Sequence, residues 1–179
     1  MKSIIHLALF CFLANTSFAQ TNYPEKNTKN EIPSSQPFII QKEVMTLQAA
    51  IELTNLARKK ASTLGKDISV AVVDAEGQTI IISRGDGVGI HNTEAARRKA
   101  FTAASTKTAT LTLSRNAKAN PDTENLANLP ELLLLGGGIP LLHQGKVIGA
   151  IGIAGGGSPE HDDLIGRSVS IPHANIIAK

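Results

Sequence analysis

The sequence predicts an α+β domain built on an antiparallel sheet, and three observations lead there. Helical and strand periodicities alternate in the order helix, two strands, helix, strands, helix. Two strand pairs read as hairpins closed by short Gly-containing turns, Asp74-Ala75-Glu76-Gly77 and Gln144-Gly145. Two glycine triplets, at 136–138 and 155–157, bracket the second hairpin, and the later one runs into a helix start. Glycine at that density weakens a strand, so the backbone there must turn sharply or approach something closely.

The chain of 179 residues has room for one domain and accessory segments. Residues 1–19 read as a signal peptide: one lysine, an apolar run from Ile4 to Ala14, and small residues at Ser17 and Ala19 before a start near Gln20. The run is shorter than the roughly 18 residues of a membrane span, so no span is expected after cleavage. Cys11 follows Phe10, not a small residue, which excludes lipidation. It is also the only cysteine, so the processed chain has no disulfide, thiol nucleophile or thiolate metal site. An exported location, periplasmic or secreted, is the expectation.

Residues 20–37 are polar and carry Pro24, Pro33 and Pro37, the composition of a flexible leader. A single domain is expected over 38–179. Its core must be aliphatic, because tryptophan is absent and aromatics are 3% of the chain.

Thr46 is placed to cap a first helix running to Leu64 and ended by Gly65, with Leu47, Ala50, Ile51, Leu53, Thr54 and Ala57 on its apolar face. Ile68 to Val73 and Thr79 to Ser83 form the first hairpin, and the segment from Arg84 to Gly89 is a loop. Asn92 or Thr93 caps a second helix, TEAARRKAFTAASTKTA, with Ala96, Ala100, Ala103 and Ala104 in one stripe suited to close packing on a sheet or a flat ligand. Asn116 to Pro130 reads as a polar connection. Leu132 to Leu135, Ile139 to His143 and Lys146 to Ala154 read as strands. Along the last, Val147, Ile151 and Ile153 point one way, while Ala150, Gly152 and Ala154 leave the other face nearly bare, apart from Ile148. Ser158-Pro159-Glu160 opens a final helix: a serine cap, proline at the first position and acids in the first turn.

Several chemistries are excluded. The glycines match neither phosphate-loop spacing, and the acids from Glu160 to Asp163 repel an anion. A formal net charge of +3, without a basic cluster interleaved with aromatics, excludes nucleic acid. Arg84-Gly85-Asp86 is turn chemistry, not an adhesion signal. No pair of histidines has zinc spacing, and no nucleophile elbow or Ser/His/Asp order appears. His91, just before the alanine-striped helix, and His161, in the acidic first turn of the last helix, are the candidate haem-iron ligands. Of the run Arg97-Arg98-Lys99, Lys99 lies one turn from Ala96 and Ala103. It is placed to reach into a glycine-lined crevice and pair with Glu160 or Asp162, or with a ligand carboxylate.

In order, SVAVVDAEG (69–77), RKAFTAAST (98–106), LLGGGIPL (134–141), GKVIGAIGIAGGG (145–157) and the acidic helix start Glu160-x-Asp162 make a specific set. The chain resembles the GlcG/HbpS-like family over Met45 to Gly166. That family includes a secreted haem-binding protein, a glycolate-utilisation protein and the C-terminal domain of PduO-type cobalamin adenosyltransferases. The resemblance implies a five-stranded antiparallel sheet flanked by helices, profilin-like in outline and assembled into homo-oligomers. It implies haem as cofactor for some members, and haem degradation is described for the family. The candidate cofactor-binding residues become His91, Lys99, Thr102, Gly137, Gly155, Gly156, Glu160, His161 and Asp162, with His91 and His161 toward the iron. The chain departs from the family at its end, IGRSVSIPHANIIAK, where Pro172 is expected to stop the last helix near Ile171.

Two functions are carried forward. The first is an exported haem- or tetrapyrrole-binding protein for sequestration, storage or sensing. The second is an enzyme or enzyme accessory acting on a small organic acid or degrading haem, with Lys99 stabilising charge and Glu160 or Asp162 moving the proton.

Overall fold

A computed structural model describes residues 38–179, so the signal-peptide and leader readings lie outside the described residues. The chain divides into two units, Met1–Ile40 and Gln41–Lys179. The second holds every element described here. In order they are α1 (Leu47–Ser62), β1 (Ser69–Asp74), β2 (Thr79–Arg84), α2 (His91–Thr106), α3 (Thr110–Ala119), β3 (Gly138–His143), β4 (Lys146–Ala154), α4 (Pro159–Arg167), β5 (Ser170–Ile171) and β6 (Ile176–Ala178). Two 3₁₀ turns, Glu124–Asn128 and Pro172–Ala174, complete it.

The α+β class holds, and the sheet has six strands, not five, in the order β2-β1-β4-β3-β6-β5. Every neighbouring pair is antiparallel. The extra strands come from the divergent C-terminus. The last helix ends at Arg167, before Pro172 can act, and Pro172 instead opens a 3₁₀ turn between β5 and β6. Strand β6 then pairs Leu141 with Ala178, Leu142 with Ile177 and His143 with Ile176, covering the outer edge of β3.

Leu132 to Leu135 is not a strand, because its backbone groups are claimed by side chains. Arg98 Nη2 donates to the Leu132 carbonyl at 2.6 Å, the Leu133 N–H donates to Thr102 Oγ1 at 2.9 Å, and Thr110 Oγ1 donates to the Leu135 carbonyl at 2.7 Å. The second helix is also shorter than expected. It starts at His91, with no side-chain cap from Asn92 or Thr93, and stops where Lys107 turns left-handed at φ 53°. A separate α3 follows, inside what reads by composition as a connection. The caps of α1 and α4 are as expected: Thr46 Oγ1 accepts from Ala49 N–H, and Ser158 Oγ from His161 N–H.

The sheet divides two cores of different grain. On one face α1 and α4 bury large aliphatics, including Leu53, Val70, Val72, Ile139, Ile151, Ile153 and Ile165. On the other, α2 packs through Ala96, Ala100, Ala103 and Ala104 on Ala71, Val73, Ala150 and Ala154. A methyl group at Gly152 would run into the Ala96 carbonyl oxygen, so this helix lies on the strand backbone itself. The bare face is filled by helix, which removes the expected crevice between β4 and α2. Ile148, the exception in the alternation, is the extra residue of a bulge: Leu142 pairs with Val147, but Leu141 with Gly149. The bulge moves Ile148 to the large-residue core.

Candidate functional site

The second glycine triplet, α4 and α2 meet at one end of β4. There Lys99 Nζ lies 2.7 Å from Asp162 Oδ2 and donates to the Ile153 carbonyl at 2.9 Å. Asp162 Oδ1 accepts from the Gly156 N–H at 2.8 Å. Gly137, at φ 115°, makes room for the pair: a Cβ there would come within 2.6 Å of the Asp162 Cβ and 3.3 Å of Lys99 Nζ. His161 joins the cluster, its Nδ1 3.2 Å from the Gly156 carbonyl oxygen. Of the two carboxylates open to Lys99, Asp162 is the partner.

The pair is sealed. Lys99 is 1% exposed and Asp162 5%. Burial pushes the Lys99 ammonium below its ordinary value, partly offset by the charge of Asp162 and the bond to it. Burial likewise raises the Asp162 carboxyl, and Lys99 and the Gly156 N–H oppose the shift. Each charge is held by its partner and by backbone groups, which is the condition for burying an ion pair.

The other candidates lie elsewhere. Glu160 is exposed and reaches Arg115 at 3.5 Å. Thr102 is buried; its hydroxyl donates to the Arg98 carbonyl and accepts from Leu133 N–H, so it fastens the 131–135 segment to α2. His91 is exposed at the start of α2, next to Gly89. Gly155 lies at φ 107° in the wall of a cavity of about 390 Å³ whose charged walls are Asp67 and Asp86. Thus Lys99, Gly137, Gly156, His161 and Asp162 are brought together, while His91, Thr102, Gly155 and Glu160 are not part of that cluster.

One arrangement escapes a reading by motif. His143, at the end of β3, places Nδ1 3.0 Å from Glu43 Oε2, 100 residues earlier. A carboxylate only accepts, so in the neutral ring Nδ1 carries the proton and Nε2 keeps its lone pair. The pair borders a cavity of about 410 Å³ walled by Val44, Met45, Ala49, Ile148 and Ile176. The only sequence signal is a histidine ending an apolar strand.

This architecture matches known proteins. The family model described as "Haem degrading protein HbpS-like" fits residues 45–169. The chain belongs to the HbpS-like family. The crystal structure of HbpS superposes with a TM-score of 0.68 at 37% identity, covering 73% of this chain and 91% of that one. The structure of the Klebsiella pneumoniae protein ORFY gives 0.71 at 28% identity over 75% and 94%. That of a PduOC:heme complex gives 0.63 at 30% identity over 70% and 92%. By sequence, a 15.0 kDa protein from the dhaT-dhaS intergenic region of Citrobacter freundii is 30% identical over 126 residues, 69% of this chain and 88% of that protein. The corrinoid adenosyltransferase PduO of the same organism is 25% identical, and the match spans 46% of that enzyme's length.

Proposed function

We propose that this HbpS-like protein binds haem or a related tetrapyrrole at its surface and acts in sequestration, storage or sensing outside the cytoplasm. The observation that carries it is the likeness to HbpS and to the PduOC:heme complex. The packing agrees with a surface mode: α2 lies directly on β4, leaving no slot for a macrocycle between them. Among the described residues no three His, Cys, Asp or Glu groups converge to hold a bare ion. A porphyrin brings four nitrogens of its own and asks the protein for only one or two axial ligands.

Binding is favoured over turnover. The constellation that the enzymatic reading needs is closed, because Lys99 is 1% exposed and Asp162 is committed to it. Export is supported by the apolar run and the small residues at Ser17 and Ala19. Among the described residues no helix is long and apolar enough to cross a membrane. Homo-oligomerisation is part of the proposal and is supported by the apolar Leu47 and Ile51, left exposed on α1.

The test is titration of haem into the purified processed protein. A Soret shift that saturates at a simple stoichiometry is expected, and a spectrum that remains that of free haem would overturn the proposal. Repeating the titration with His91→Ala and His161→Ala asks whether either imidazole holds the iron. Light scattering with and without haem reads the assembly state.

A further inference from the structure

Three imidazoles other than His143 are described: His91, His161 and His173, all exposed. None of them lines the apolar cavity beside Glu43. The wall near His91 carries Asp67 and Asp86, which repel an anionic ligand. His143 differs in its burial and its surroundings, while His161 shares with it a fixed Nδ1, set against the Gly156 carbonyl. The His143 side chain is 23% exposed, its Nδ1 is held by Glu43, and it borders an apolar cavity of about 410 Å³. Glu43 Oε2 lies 3.0 Å from His143 Nδ1 and so orients the ring.

A second cavity, of about 600 Å³, shares Glu43 and Ile148 with the first and is lined by Lys42, Lys107 and Lys146. Two carboxylates line that cavity, and Asp74 lies close enough to act on Lys42 as well. Glu76 is taken by Lys42, and Glu43 by His143. Among the described residues Lys107 and Lys146 form no ion pair. The end of the sheet at the β3–β4 turn therefore offers an oriented imidazole with an apolar wall on one side of Glu43 and Ile148, and on the other two lysines without an ion pair. A flat apolar ligand bearing a metal and two carboxylates is complementary to all three.

We infer that a dianionic metalloporphyrin docks at this end of the sheet, with His143 Nε2 as the metal ligand, Glu43 as its positioning residue, and Lys107 and Lys146 receiving the two carboxylates. The inference rests on the haem-binding reading and assigns that reading a site. A carboxylate on the distal nitrogen fixes the ring and increases its basicity toward the metal. Iron held by such an imidazole has its ferric state favoured, so loss of the carboxylate raises the midpoint potential.

The experiment is a ferric haem titration read by the Soret band and by electron paramagnetic resonance, with wild type, His143→Ala, His143→Gln, His91→Ala and His161→Ala side by side. Melting curves confirm that each variant is folded. Expected is a loss of affinity of about tenfold or more in both His143 variants, with a changed spin state, while His91→Ala and His161→Ala bind as wild type. Glu43→Gln is expected to weaken binding and move the midpoint potential upward. The dimethyl ester of haem should bind wild type as weakly as haem binds the Lys107→Gln/Lys146→Gln variant. Wild type that binds haem while both His143 variants keep its affinity and spectrum would overturn the site and leave the function standing. Wild type that fails to bind would overturn both. Equal affinity for haem and its ester would overturn the role of the lysines.

Discussion

Lys99 shows what one buried charge demands of its surroundings. Its ammonium is held by Asp162 and by the Ile153 carbonyl, and Asp162 in turn by the Gly156 N–H. Removing one partner strands the other, a loss of about 3–5 kcal/mol, whereas replacing both charges is often close to neutral. Lys99→Met is thus expected to lose that much stability. Lys99→Met/Asp162→Asn should regain most of it, since asparagine still accepts from Gly156 N–H. Urea denaturation of the two variants reads the difference, and equal losses would show that the pair is not coupled. The pH dependence follows from the raised Asp162 pKa. A raised folded-state value gives stability that is fully present below the unfolded value of 3.8 and is lost as pH rises through the folded value. In Lys99→Met the opposing ammonium is gone, so the deficit should be smallest below the unfolded value of 3.8 and should grow as pH rises above it. A deficit that is flat with pH would place the damage elsewhere.

Among the elements, β4 and β6 carry the most consequence. Helix α2 touches the β4 backbone at Gly152, where neither the Ala96 carbonyl nor the strand can yield easily. Gly152→Ala is expected to cost about 1–3 kcal/mol by overpacking, although alanine suits a strand better than glycine in the abstract. An unchanged denaturation midpoint would mean that the helix stands off further than described. Strand β6 is held by Ile176, 7% exposed, against β3. Ile176→Ala should lose about 2–5 kcal/mol, and the lower end applies if the edge collapses around the gap. Because Ile176 pairs with His143 and lines the same cavity, that variant should also weaken haem binding, which the Soret titration measures.

At the scale of the molecule, the two faces of the sheet have separate tasks. The aliphatic face supplies most of the burial, and the alanine face trades side-chain volume for close helix contact. With the interior filled on both sides, ligands are left to the rim. Binding to the folded state alone stabilises it by mass action, about 2.7 kcal/mol at a free ligand concentration a hundred times the dissociation constant. Haem should accordingly raise the melting temperature of wild type, and a tenfold loss of affinity in His143→Ala should cut that increase to about half. A similar increase in both would place the ligand away from β3.

Most of the elements were legible because they are written locally. The Thr46 and Ser158 caps, the turns at Asp74-Ala75-Glu76-Gly77 and Gln144-Gly145, and the dense apolar run of β1 each lie within a few residues of sequence. The misses are also instructive. Leu132 to Leu135 has the composition of a strand but spends its backbone hydrogen bonds on Arg98, Thr102 and Thr110. The C-terminal strands are too short to show a period.

By itself the sequence determined the α+β class, the family, the order of the main elements and the closeness of Lys99 to the acidic start of α4, because periodicity and capping are local and the glycines leave space only for such an approach. Tertiary structure alone decided that Asp162, not Glu160, takes the lysine, that the glycine face is filled by α2, that the sheet gains a sixth strand, and that His143 meets Glu43. These are contacts between residues far apart in the chain, and no local pattern encodes which distant group arrives within hydrogen-bond reach.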